Sequence, residues 1–184
     1  MGRTKRLVDK SKETIYHVIS RTCEGRFSIH EQYKNKLLEL LKKYSDFHFI
    51  DVLGFCFLDS HIHITIRVKL EEDLSDEEIK ERWNKFYDGE KTFNFEEIPR
   101  LREKLTDISD FAKEFKQAFT RFYNKENDVK GHFWGQRFKS LIVQDGPHLL
   151  KLQTYIDLNP IRAGIVGKPE DYRWSTLGYL NQTG

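Results

Sequence analysis

FHFIDVLGFCFLDSHIHITIRV, residues 47–68, holds two apolar runs separated by Asp59-Ser60. FHFIDVLGFCFLD (47–59) reads as a strand bent at Gly54. HIHITIRV (61–68) reads as the next strand, and the short connection calls for tight antiparallel pairing. Side chains alternate across a strand. Ile62, Ile64, Ile66 and Val68 therefore form an unbroken aliphatic row that must face a core. His61, His63, Thr65 and Arg67 form the opposite row, which is polar from end to end and faces solvent, a cleft or a ligand. Two imidazoles at i and i+2 on a strand can reach one divalent ion. Such a pair is a weak signal by itself, and buried structural histidines are the plain alternative.

Outward from this hairpin the pattern alternates between strand and helix. TIYHVISR (14–21) is β-branched and alternating, which predicts a first strand. Ser28 and Glu31 have the spacing of a capping box, and Leu37, Leu38, Leu41 and Tyr44 continue at helical spacing, which predicts a helix over 29–44. After the hairpin, Ser75 and Glu78 make a second capping box, and Asp88-Gly89 stops the helix that follows. A short helix is expected after Pro99. Residues 107–127 carry an apolar stripe of Ile108, Phe111, Ala112, Phe115, Phe119 and Phe122, the signature of an amphipathic helix. QRFKSLIVQ (136–144) reads as a fourth strand, and Asp145 is placed to cap a last helix with Pro147 in its first turn. The order β-α-β-β-α-α-β-α predicts an α+β fold: an antiparallel sheet covered by helices in a split βαβ, ferredoxin-like layout. The 184 residues suit a single domain, interrupted by an acidic helical insert at about 71–107 that begins EEDLSDEE.

A third of the chain is charged, yet the formal net charge is only +2. The total hides two basic regions. Arg3, Lys5, Arg6, Lys10 and Lys12 face only Asp9 within residues 1–12. Lys113, Lys116, Arg121, Lys125, Lys130, Arg137 and Lys139 outnumber Glu114, Glu126 and Asp128 within 111–140. Phosphate binding and two solvated faces are both compatible with charge alone. No apolar run approaches the ~20 residues of a membrane span. The basic N-terminus lacks the apolar segment of a secretion signal. Cys23 and Cys56 are too few for a disulfide framework. These features place the protein in the cytoplasm, with no membrane partner.

The last helix offers companions for the histidines. In TYIDLNPIRAG (154–164), Tyr155 and Asn159 lie four residues apart on one side of a helical turn, with His148 earlier on the same stripe. Pro160 disfavours helical conformation at Asn159 and should end or kink the helix there. Taken singly, Tyr155 reads as an amphipathic core residue and Asn159-Pro160 as a turn.

Taken together, the motifs resemble the HUH superfamily of single-tyrosine transposases, in particular its REP-associated tyrosine transposase group. YHVISR (16–21) resembles that group's first strand, and FCFLDSHIHIT (55–65) its strand pair ending in histidine–hydrophobic–histidine. FTRFYNKENDVKGHFWGQRFKSLIV (119–143) resembles its central helix, glycine–tryptophan loop and next strand. YIDLNPIRAGIV (155–166) resembles its tyrosine helix, and DYRWSTLGY (171–179) its C-terminal segment. Two departures stand out. Asp59-Ser60 occupies the place of a proline–asparagine pair, and the acidic insert is longer than in compact members, as a lid or accessory surface would be.

The resemblance implies an enzyme with Tyr155 as nucleophile, His61 and His63 as metal ligands, and Asn159 as third ligand or positioning group. The cofactor implied is Mg²⁺ or Mn²⁺. The partner implied is single-stranded or hairpin DNA, with a homodimer as one arrangement open to it. The reaction implied is nicking and rejoining through a 5′-phosphotyrosine. A phenol with pKa near 10 is a poor nucleophile at neutral pH, and a metal that polarises the phosphate compensates. No ATP is needed, in keeping with the absence of a phosphate-binding G-x-x-x-x-G-K-[ST] loop. By residue type, Lys113, Arg121, Arg137, Lys139 and Arg162 would contact phosphates, and His132, Phe133 and Trp134 would stack on unpaired bases, with a core anchor equally open to Trp134. A non-catalytic nucleic-acid-binding module and a metal-dependent nuclease using water are the competing readings. The first usually presents aromatics where this sheet presents His61, His63, Thr65 and Arg67.

Overall fold

The computed structural model describes residues 8–23 and 28–183. Arg3, Lys5 and Arg6 of the basic N-terminal run lie outside them. Four strands, β1 (Thr14–Arg21), β2 (Ile50–Phe57), β3 (His61–Val68) and β4 (Lys139–Val143), form one sheet in the order β2-β3-β1-β4. Every neighbouring pair is antiparallel. This is the split βαβ arrangement predicted from the order of elements. Helices α1 (Glu31–Phe47) and α4 (Ile108–Glu126) cover one face. Helix α5 (Pro147–Asp157) lies against β2 on the other.

The first face is the main core. Ile62, Ile64, Ile66 and Val68 are all buried there with Tyr16, Val18, Phe55 and Phe57. The α4 stripe meets them with Phe111, Phe115 and Phe119, each almost fully buried. Each such ring contributes ~2–3 kcal/mol by leaving water. Asp107 caps α4 by accepting from the Ser109 and Asp110 N–H groups.

The insert forms α2 (Asp76–Tyr87) and α3 (Ile98–Leu105). Its expected capping box at Ser75 and Glu78 is present, and Asp88 and Gly89 both take positive φ at its stop. The insert has its own small core of Leu74, Ile79, Ile98, Leu101 and Leu105 against Phe47 and Phe49. It joins the sheet at the Val68 end of β3, the far end from His61, which is not the position of a lid over the histidines.

Two helix starts differ from expectation. Ser28 does not cap α1; His30 holds the N-cap position without a side-chain bond, and the helix runs on to Phe47. Asp145 does not cap α5 either. Its carboxylate accepts from the Gly146 N–H, and Gly146 itself precedes the helix with φ +74°. Pro147 opens α5 as expected, and the chain breaks at Leu158 before a single further turn, α6 (Asn159–Arg162), because Pro160 cannot continue the ladder. A last helix, α7 (Thr176–Thr183), was not anticipated. The segment before it and its own first residue cover the free edge of β2: the Phe57 N–H donates to the Trp174 carbonyl at 2.9 Å and the Phe55 N–H to Thr176 Oγ1 at 2.7 Å. Among the described residues no helix is long and apolar enough to cross a membrane.

His48 is fully buried where the insert, α1 and α4 meet, and its Nε2 lies 3.0 Å from Glu114 Oε2. Lys104 Nζ is 2.7 Å from the other oxygen of that carboxylate. Burial alone would raise Glu114, but hydrogen bonds from His48 and Lys104 and the Lys104 charge outweigh it and hold the carboxyl at about 2, below its ordinary 4.5. A carboxyl held down in the folded chain stabilises fully above its unfolded value and ceases to do so as pH falls through the folded one. Glu114→Gln is expected to lower stability at neutral pH by ~1–3 kcal/mol. Urea unfolding at stepped pH should show the gap to the parent protein closing between 4.5 and about 2. A gap that stays constant across this window would contradict the assignment.

Candidate active site

β3 presents its polar row on the face opposite the main core. Cross-strand partners share a face, so Ile19 and Cys56, both opposite His63, join it there, as do Arg21 opposite His61 and Lys139 opposite Ile19. The row is less open than its polarity suggests. His63 and Thr65 are buried, and His61 is half-buried. The cover comes from α5 and from a third histidine, His17 of β1. Its Nε2 sits 2.9 Å from His63 Nδ1, and the two rings lie edge to edge with centroids 5.1 Å apart and planes 19° from parallel. His17 is itself buried. It was missed in the sequence because its strand carries no second histidine. The signal available was its place on a strand that pairs beside β3.

Helix α5 is seated by a close approach at Gly54. A β-bulge interrupts β2 between Val52 and Gly54, and Gln153 Nε2 donates to the Leu53 carbonyl at 2.8 Å. A Cβ on residue 54 would stand 2.3 Å from Gln153 Oε1, so glycine lets the amide lie flat on the strand. Ile156 is fully buried against Cys56, Leu58 and Tyr172. Tyr155, about 100° round the helix, is 44% exposed and meets His63 edge to face, with ring centroids 6.1 Å apart. The Arg162 guanidinium lies over the Tyr155 ring at 4.8 Å. Tyr155 therefore lies beside the histidine face of its own chain.

The turn that leads into His61 is also anchored. Lys34 is buried in α1, and its Nζ lies 2.6 Å from Asp59 Oδ1 and 2.9 Å from the Tyr172 hydroxyl. Tyr172 in turn donates to the Phe57 carbonyl at 2.6 Å. Asp59 thus holds the β2–β3 turn to the core, and Ser60 Oγ contacts His61 Nδ1 at 2.9 Å.

Burial holds His63 down at about 3, with His17, His61 and Arg21 adding to the effect. Burial and then Arg21 also lower His61, and burial brings His17 to about 4. All three rings are neutral near pH 7, the state in which imidazole coordinates metal. His63 Nε2 is buried without a hydrogen-bond partner among the described residues, and the Ser60 contact leaves Nε2 as the other nitrogen of His61. The pair thus suits a divalent cation. Burial pushes the Cys56 thiol up to about 12, so it stays protonated and is a poor ligand. Among the described residues no three His, Cys, Asp or Glu side chains converge on a metal position. Asn159, the first residue of α6, is buried with its Nδ2 unpartnered among the described residues, and it makes no hydrogen bond to either histidine. His148 is exposed at the start of α5.

The residues expected to contact DNA fall into two groups. Lys113, Lys116, Arg121, His132, Trp134 and Arg137 line one groove of about 610 Å³ between α4 and residues 131–138. Lys139 lies instead on the histidine face, and Arg162 is beside Tyr155. Base stacking on Phe133 and Trp134 is not supported. Both are buried, and Trp134 donates from Nε1 to the Lys116 carbonyl at 3.1 Å while its ring packs on Phe119 and Phe133. The core-anchor role is the one the structure assigns to Trp134.

No family model and no curated protein matches the chain. Solved structures do. The REP-associated tyrosine transposase bound to a REP hairpin aligns at TM-score 0.67 and 16% identity, over 97% of this chain and 84% of that one. A Deinococcus radiodurans R1 protein described as a candidate transposase aligns at TM-score 0.38 and 13% identity, over 85% of this chain and 96% of its own, too distant to carry argument. At this level of identity the likeness is one of architecture: the chain has the fold of a REP-associated tyrosine transposase.

Proposed function

We propose that the chain belongs to the REP-associated transposase group and is a metal-dependent single-stranded DNA transposase that nicks and rejoins strands at hairpin sites. The observation that carries this reading is the meeting of an exposed Tyr155 phenol with His63 of the histidine pair, beneath Arg162. Mg²⁺ or Mn²⁺, held by His61 and His63 with an oxygen from Asn159, water or phosphate, would polarise the scissile phosphate and stabilise charge developing on its oxygens. Tyr155 Oη attacks phosphorus. The bond to the 3′-oxygen breaks, the phenol gives up its proton, and the departing oxygen takes one up. The products are a 5′-phosphotyrosine and a free 3′-hydroxyl. Attack by another 3′-hydroxyl reverses the step and frees Tyr155, with the phosphodiester energy kept in the covalent link. Arg162 and Arg21 place positive charge beside this chemistry, and Lys139 extends it along the same face. The arrangement needs no second copy of the chain to bring the tyrosine to the histidines. Work on DNA accords with a cytoplasmic location.

Hairpin oligonucleotides incubated with the protein and Mn²⁺ should yield a nick and a protein–DNA species that survives SDS. Tyr155→Phe removes one oxygen from a half-exposed ring and should abolish both while the fold persists. His61→Ala should abolish cleavage and leave thermal unfolding little changed, because His61 is only half-buried. A nick that persists in Tyr155→Phe without the SDS-resistant species would make water the nucleophile and the protein a hydrolase. Binding without any cutting by the parent protein would make it a binding module.

DNA affinity should fall steeply with salt, since each neutralised phosphate releases counterions. Replacing Lys113, Arg121 and Arg137 together with glutamine should weaken binding and flatten the salt slope. Neutralising Glu71, Glu72 and Asp73 of the insert should do neither. A salt-independent affinity would exclude phosphate contacts as its source.

A further inference from the structure

We propose that His17 is a positioning residue that fixes the tautomer of His63, keeping the proton on Nδ1 and the Nε2 lone pair free for the cation. The inference rests on the metal reading above and concerns a residue outside the histidine pair.

The 2.9 Å contact joins His17 Nε2 to His63 Nδ1, so one proton lies between two ring nitrogens. If His17 donates it, His63 carries its own proton on Nε2. That N–H would then be buried with no acceptor among the described residues, and it would have to leave before any metal could bind. If His63 donates it, Nε2 is a bare lone pair, the form that ligates. The contact is built into the sheet. His17 pairs with Thr65 and Ile19 with His63, so His17 and His63 are diagonal neighbours on one face, and the β1–β3 ladder fixes their spacing. The rings lie edge to edge, 19° from parallel, which aims the two nitrogens at each other, and burial of both limits the alternatives. Metal-bound histidines commonly give their second N–H to a carboxylate, carbonyl or water, and losing that acceptor weakens the metal about 10- to 100-fold; in the proposed tautomer the His17 Nε2 lone pair takes that place.

Two variants of the full chain separate this role from simple packing. His17→Leu fills the space and removes the acceptor. His17→Gln keeps an amide oxygen near the position of Nε2. Mn²⁺ binding, followed by loss of the free-ion EPR signal, should weaken about 10- to 100-fold in His17→Leu and recover most of that loss in His17→Gln. In the metal-free parent protein, long-range ¹H–¹⁵N NMR should place the His63 proton on Nδ1. Unweakened binding in His17→Leu, no recovery in His17→Gln, or a His63 proton on Nε2 would each overturn the proposal. If His17→Leu fails to fold, the glutamine variant and the NMR measurement still decide it. If the parent protein binds no Mn²⁺, the metal reading fails, and the NMR result judges the tautomer separately.

Discussion

The pairing register of β3 is the constraint on which the rest of the structure depends. One eight-residue strand supplies the centre of the core with Ile62, Ile64, Ile66 and Val68, and the centre of the site with His61 and His63. Its side chains have a period of two, so a slip by one residue would bury the histidines against α1 and α4 and turn the isoleucines toward Tyr155. Core burial thereby enforces the geometry of the site. Pairing on both sides adds to this: β2 brings Cys56 opposite His63, and β1 brings Ile19 opposite His63 and His17 beside it.

The second half of the site is delivered by packing from outside the sheet. Helix α5 lies on the histidine face because Gly54 leaves room for Gln153 and because Ile156 has Cys56, Leu58 and Tyr172 to bury against. Pro160 then ends the helix, so that Arg162 turns back over Tyr155. The C-terminal segment closes the assembly. Its Tyr172 joins Lys34 and the Phe57 carbonyl, and Gly178 packs so tightly on the Tyr172 carbonyl that no Cβ fits there. The result is a sheet side carrying imidazoles and a helix side carrying the phenol, with basic side chains at the rim.

Much of this was legible in the sequence because it is periodic. Alternation in 61–68 and 14–21 marked β3 and β1 to the residue, and the phenylalanine stripe marked α4 within one residue at each end. Contacts between segments left no such trace. His17 reads as one polar residue in a strand, and only the β1–β3 register shows what it touches. Trp134 sits in a basic, glycine-flanked loop that suggests an exposed stacking ring, yet Phe119 and Phe133 draw it inward. Ser28 and Glu31 have capping-box spacing, but the chain reaches α1 in an extended conformation at His30 and starts the helix later. Lysines and arginines of 111–140 look like one basic region in sequence. The sheet divides them, sending Lys139 to the histidine face and the α4 residues to a separate groove.

In the proposed reaction the phenolic oxygen of Tyr155 forms the covalent bond to DNA. Protein trapped with a cleaved hairpin oligonucleotide can be digested with trypsin and nuclease, and the nucleotide-bearing peptide sequenced by mass spectrometry. A 5′-phosphonucleotide is expected on the peptide that contains Tyr155, and on no other. A nucleotide found on Tyr123, Tyr172 or Tyr179 would contradict the site, and cleaved DNA with no modified peptide at all would contradict the chemistry.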